Sequence, residues 1–101
     1  MSLEILIGAD VVPTASNLGA FQTNAPQLLL NGLNEIWNAA DMRIFNLETP
    51  LADAESAADK CGPHLLAPTQ CVQGLASLNP TGVCLCNNHI LDHGAEGLAS
   101  T

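Results

Sequence analysis

Basic residues are almost missing from this 101-residue chain: Arg43 and Lys60 stand against ten acids, for a formal net charge of −8. Nucleic-acid binding needs cations that displace counterions from phosphates, so that class of partner is excluded. Attraction to an anionic membrane surface is disfavoured for the same reason. No apolar run approaches the roughly 18 residues of a bilayer span, so no membrane insertion is expected. A basic n-region and a signal cleavage site are also missing, and Leu3 to Ile7 already reads as a strand. The expected location is cytoplasmic as the sequence stands, or associated with the cell envelope if a leader was removed. Met1-Ser2-Leu3 has the form of a cloning remnant. The cysteines Cys61, Cys71, Cys84 and Cys86 contain no C-x-x-C pair. Buried, reduced thiols are expected, ahead of a Cys61–Cys71 disulfide or a zinc site. Internal repeats, Gly/Ser linkers, a phosphate-cradling glycine loop, a Gly-x-Ser-x-Gly elbow and a catalytic Cys-His signature are all missing.

What is present is apolar and ordered. Hydrophobic residues make up 48% and charged residues 12%, a balance that folds, and the length suits one domain with a small core. Leu3 to Ala9 reads as a buried strand and residues 10–24 as a long loop. Asn24 and Pro26 signal a helix start, and Leu29, Leu33, Ile36, Trp37 and Ala40 continue one apolar face to Asp41. Met42 to Leu47 is a second strand, and Glu48 to Pro68 an extended loop. A second helix is expected from Thr69 to Leu78, burying Val72, Leu75, Ala76 and Leu78, with Asn79-Pro80 stopping it. Gly82 to Cys86 is the third strand, on which Cys84 and Cys86 share a face as core thiols would. Gly94 to Thr101 begins a third helix. The alternation predicts an α/β fold, βαβαβ(α), with a three-stranded, mostly parallel sheet flanked by helices.

Ligands of open parallel sheets bind at the carboxyl ends of the strands. Asp10 follows the first strand, Glu48 the second, and Asn88, His89 and Asp92 the third. Each alone reads as a cap or turn residue, as Asp92 before Gly94 does. Together, carboxylate and amide oxygens with one imidazole suit a divalent ion such as Mn, Mg or Zn. An acidic chain can hold an anionic substrate when such ions carry the positive charge.

These residues also carry a family resemblance. Ile7-Gly8-Ala9-Asp10-Val11-Val12-Pro13-Thr14 with Ser16-Asn17 resembles the opening motif of CapA-type proteins of capsule, or poly-gamma-glutamate, biosynthesis. Phe45-Asn46-Leu47-Glu48-Thr49-Pro50-Leu51 is similar to their Asn-Leu-Glu motif. Cys86-Asn87-Asn88-His89 with Asp92 and Gly94 is similar to their Asn-Asn-His motif. Lys60-Cys61-Gly62-Pro63 and Leu66-Ala67-Pro68-Thr69 resemble a subgroup. The resemblance implies a fold related to calcineurin-like metallophosphatases and a metal-dependent hydrolase or transferase acting on a polymer or phosphoester. It implies Asp10 as ligand of one metal, Glu48 as a bridging carboxylate and Asn88 as ligand of a second. His89 would give a proton or orient the substrate, and Asp92 would fix the Asn-His turn or orient His89. Val12 stands where calcineurin-like enzymes carry a histidine, which CapA-type proteins often lack too. The family's later histidine-bearing loops would lie beyond Thr101, so residues 1–101 are expected to be an N-terminal segment, inactive alone. The alternative is a non-catalytic remnant that oligomerises or binds a ligand.

The other polar residues read more plainly. His64 and His93 suit solvated loops, and Trp37 suits the core, with carbohydrate stacking as the alternative. Asp53, Glu55 and Asp59 suit loop solvation, since no EF-hand pattern surrounds them. Open sheet edges and an uncovered face favour a homo-oligomer.

Overall fold

Three short, mostly apolar runs pair into one parallel sheet. The computed structural model describes all 101 residues. β1 (Ile5–Val11), β2 (Met42–Leu47) and β3 (Gly82–Cys84) lie in the order β1-β2-β3, parallel throughout. Helices α1 (Leu18–Phe21), α2 (Pro26–Leu30), α3 (Asn34–Ala39), α4 (Val72–Ser77) and α5 (Gly94–Ser100) complete the expected α/β fold. A 3-10 turn at Thr69–Cys71 leads into α4. No helix is long and apolar enough to cross a membrane.

The core lies on one face of the sheet. Phe45 and Leu47 of β2 meet Phe21, Trp37, Leu51, Ala67, Cys71, Leu75 and Leu78, and Leu6 and Leu85 pack against that cluster. Trp37 is core, as expected, and its indole N–H donates to the Leu78 carbonyl at 2.7 Å. Gly74 lets α4 reach the chain at α1: a Cβ there would lie 2.5 Å from the Phe21 carbonyl oxygen. The opposite face carries Ile5, Ile7, Ile44 and Cys84, and Ile7 is 75% exposed.

Several expectations needed correction. The helix expected over residues 26–40 is two helices, broken where Asn31 (φ 44°) and Gly32 (φ 92°) turn left-handed. The break rotates α3 out of phase with α2, so Leu33 and Ile36 are exposed while Trp37 and Ala40 are buried. The 10–24 loop holds the short α1. In α4, Gly74 and Leu75 face the core, while Val72 and Ala76 are exposed. Cys84 and Cys86 are not core thiols. β3 ends at Cys84, whose partner Asn46 is on the uncovered face, and both thiols are exposed. All four cysteines are free. His93 is not solvated but 3% exposed, with Nδ1 accepting from Ser56 N–H at 3.0 Å. Asp53 holds the Thr69 turn, accepting from its N–H at 2.9 Å and its hydroxyl at 2.6 Å. Those two bonds lower the Asp53 pKa.

Candidate functional site

The site begins with an irregularity in β1. Ile5, Leu6 and Ile7 pair in step with Met42, Arg43 and Ile44, but Asp10 pairs with Asn46 and Val11 with Leu47. One extra residue is therefore inserted in β1 between Ile7 and Asp10. Ala9, at φ 53°, absorbs it. A one-residue slip turns a side chain to the other face. Without it Asp10 would pair with Leu47, on the buried face; with it, Asp10 stands beside Asn46 on the open face.

Asn46 then joins the two carboxylates. Its Nδ2 donates to Asp10 Oδ1 at 2.9 Å and to Glu48 Oε2 at 2.6 Å. Its Oδ1 accepts from Asn87 Nδ2 at 3.1 Å, which also donates to the Leu47 carbonyl at 2.8 Å. Asn87 Oδ1 accepts from the His89 N–H at 2.9 Å, fixing the turn that carries the histidine. The His89 ring spans two acids: Nδ1 lies 2.7 Å from Asp92 Oδ2, and Nε2 lies 3.8 Å from Glu48 Oε1. Asp92 is fully buried. It also bonds the Lys60 ammonium through Oδ1 and accepts from Leu65 N–H at 2.6 Å through Oδ2. Burial pushes its pKa up, but Lys60, Leu65 N–H and His89 outweigh that and bring it down to about 2.

Asp10, Glu48, His89 and Asp92 thus join one hydrogen-bonded chain at the carboxyl end of the sheet. Asn88 lies exposed on the same turn, and no side-chain hydrogen bond ties it to the others. Asn46, Asn87 and Lys60 are equally part of the arrangement, yet outside the set picked from strand ends. Asn46 and Asn87 sat in plain view inside the two Asn-containing motifs, and Lys60 opens the Lys60-Cys61-Gly62-Pro63 stretch. No three His, Cys, Asp or Glu side chains gather as a ready-made metal cluster. The donor types nonetheless fit a hard or borderline cation. Asp10 and Glu48 have only a neutral amide between them, because Arg43 is bonded to the Asn79 and Ala40 carbonyls and Lys60 to Asp92. The main cavity, about 430 Å³, lies on the helix-covered face among Leu28, Leu33 and Trp37. Glu48, His89 and Asp92 do not line it, so it meets this chemistry only at Asp10.

Comparison with known proteins agrees with the motifs. Two proteins from strains of Mycobacterium tuberculosis, each named as a probable polyglutamine synthesis accessory protein, are 42% identical to the chain over 64 residues. That alignment covers 62% of this chain and 17% of each relative, so the chain matches under a fifth of their length. The family model described as bacterial capsule synthesis protein PGA_cap matches residues 5–101. That match takes in β1, the Asn46-bridged carboxylates and the His89 turn together, and the chain belongs to this bacterial capsule synthesis family.

Proposed function

We propose that this chain is an N-terminal segment of a metallophosphatase-like, metal-dependent hydrolase domain serving capsule or polyglutamate synthesis. The observation that carries this reading is the Asp10–Asn46–Glu48 bridge. Two carboxylates share one amide, and the chain's only arginine and lysine are engaged elsewhere. A divalent ion (Mn, Mg or Zn) would supply the missing positive charge and polarise a bound oxygen. Asp10 and Glu48 would hold it, with Asn88 as a further ligand. His89 keeps Nε2 turned to Glu48 and moves a proton at that atom, while Asp92 orients the ring from Nδ1. Two-metal hydrolysis needs a complete ligand set on both ions, so the segment alone turns over little or nothing.

Manganese titration by calorimetry tests this on the wild-type chain and on an Asp10→Ala, Glu48→Ala double variant. Weak binding by the wild type that the double variant loses is expected, with phosphoester hydrolysis near background. Equal binding by both, or none by the wild type, removes the metal reading. Robust turnover that depends on Asp10 and Glu48 would show that the segment suffices. A second reading, a non-catalytic module that binds its own copies, is favoured by the exposure of Ile5 and Ile7 on the uncovered sheet face.

A further inference from the structure

Lys60 is the only lysine in the chain, and it stands on the long connection between Glu48 and Pro68. A lysine on such a connection ordinarily extends its ammonium into water. Here the ammonium is bonded to Asp92 Oδ1, and the two side chains are 27% and 0% exposed. Asp92 Oδ2 is taken by Leu65 N–H and by His89 Nδ1. Lys60 and Leu65 lie on either side of Gly62, whose φ of 90° turns the chain back, so both limbs of one turn close on a single carboxylate. The neighbouring backbone joins in. Ala58 N–H donates to the Asp92 carbonyl at 2.8 Å, and Ser56 N–H to His93 Nδ1 at 3.0 Å.

A carboxylate shut off from water needs partners on both oxygens. His89 and Leu65 fill one; Lys60 fills the other. The lysine therefore sets the rotation of the carboxylate, and the carboxylate sets the imidazole ring. An ionised carboxylate only accepts, so His89 Nδ1 carries a proton, and in the neutral ring Nε2 is then the lone-pair nitrogen on the side of Glu48 Oε1.

We infer that Lys60 is a positioning residue of the candidate site, acting through Asp92 to hold His89 in the Nδ1–H form with Nε2 presented to Glu48. The inference rests on the reading that His89 works at this site, but it makes no use of a metal. It also accounts for the Lys60-Cys61-Gly62-Pro63 stretch, in which the glycine makes the turn and the lysine secures it.

Nuclear magnetic resonance of isotopically labelled histidine nitrogens tests this in the full chain, without metal, at a pH above the ordinary imidazole range. Wild-type His89 should show a protonated Nδ1 and a bare Nε2. Lys60→Met should move His89 towards the Nε2–H form and speed amide exchange at Ala58 and Leu65. Lys60→Arg, which keeps the charge, should restore both. An unchanged His89 tautomer in folded Lys60→Met protein overturns the inference, because the lysine would then serve stability alone. A wild-type His89 already in the Nε2–H form overturns it without any variant. The manganese titration reads the metal proposal separately, so either reading can fail while the other stands.

Discussion

Asp92→Asn preserves the size of the side chain and removes the charge on which Lys60, Leu65 N–H and His89 converge. Folding lowers the Asp92 pKa from 3.8 to about 2. A depression of that size is worth about 2 kcal/mol of stability. The folded value lies below the unfolded one, so the contribution is complete well above the unfolded value and is lost as pH falls through the folded one. Asparagine also offers one acceptor oxygen where the carboxylate offered two, and turns an NH₂ towards a donor. A buried donor left without a partner costs about 1–3 kcal/mol. Lys60, being partly exposed, can swing into water and recover some of its own loss. The expected destabilisation near neutral pH is therefore about 3 kcal/mol, the low end of the range for breaking a buried ion pair. Trp37 is the only tryptophan and is 8% exposed, so its fluorescence reports unfolding directly. Urea unfolding of the two proteins, stepped from neutral pH to about pH 2, should show a gap that narrows by about 2 kcal/mol on the way down. The comparison removes what the other carboxylates contribute, since both proteins carry them. A gap that stays constant with pH, or one below about 1 kcal/mol at neutrality, would refute the account of Asp92 as a charged, fully engaged hub.

Two further outcomes are expected. Gly74→Ala should lower stability by about 2–3 kcal/mol, because the new Cβ meets backbone atoms of Phe21 that cannot move aside cheaply. A melting temperature within a degree or two of wild type would show that α4 has slack against α1. At roughly micromolar concentration the chain should sediment as a dimer or larger through the face bearing Ile5 and Ile7, and Ile7→Lys should shift it to monomer. A monodisperse wild-type monomer would remove this expectation.

The sheet was legible because the signals for it are local. Leu3 to Ala9, Met42 to Leu47 and Gly82 to Cys86 are short, mostly apolar runs, and the strands Ile5–Val11, Met42–Leu47 and Gly82–Cys84 form at them. Helical phase was less legible. The spacing of Leu29, Leu33, Ile36 and Trp37 fits one continuous helix, but Asn31 and Gly32 together take the left-handed conformation that ends one. A lone Asn-Gly inside an apolar pattern is ambiguous until packing decides. His93 misled for a related reason. Its neighbours in sequence are polar or small, and what buries it is the distant Ser56–Leu65 connection.

The site divides along the same line, and the division explains why its connecting residues were missed. Strand exits marked Asp10, Glu48 and His89 as neighbours, since a parallel sheet brings those ends together whatever its register. Which face each side chain takes depends on register, and in β1 the register changes at Ala9. A non-glycine residue at φ 53° costs about 1–2 kcal/mol. Nothing in the run Ile7-Gly8-Ala9-Asp10 announces that cost, because a regular strand would suit those residues equally well. A regular strand would, however, set Asp10 opposite Leu47 on the buried face, where an unpaired carboxylate costs more than the strain at Ala9. The bulge is thus the lower-energy arrangement once Asp10 is given, and it puts the carboxylate within reach of Asn46 Nδ2. Asn46 can serve both acids only because the irregularity before Asp10 and the exit of β2 before Glu48 bring the two oxygens to one amide. An asparagine inside a motif is visible in sequence. That it is the piece joining two acids 38 positions apart follows only from the register of the strands that carry them.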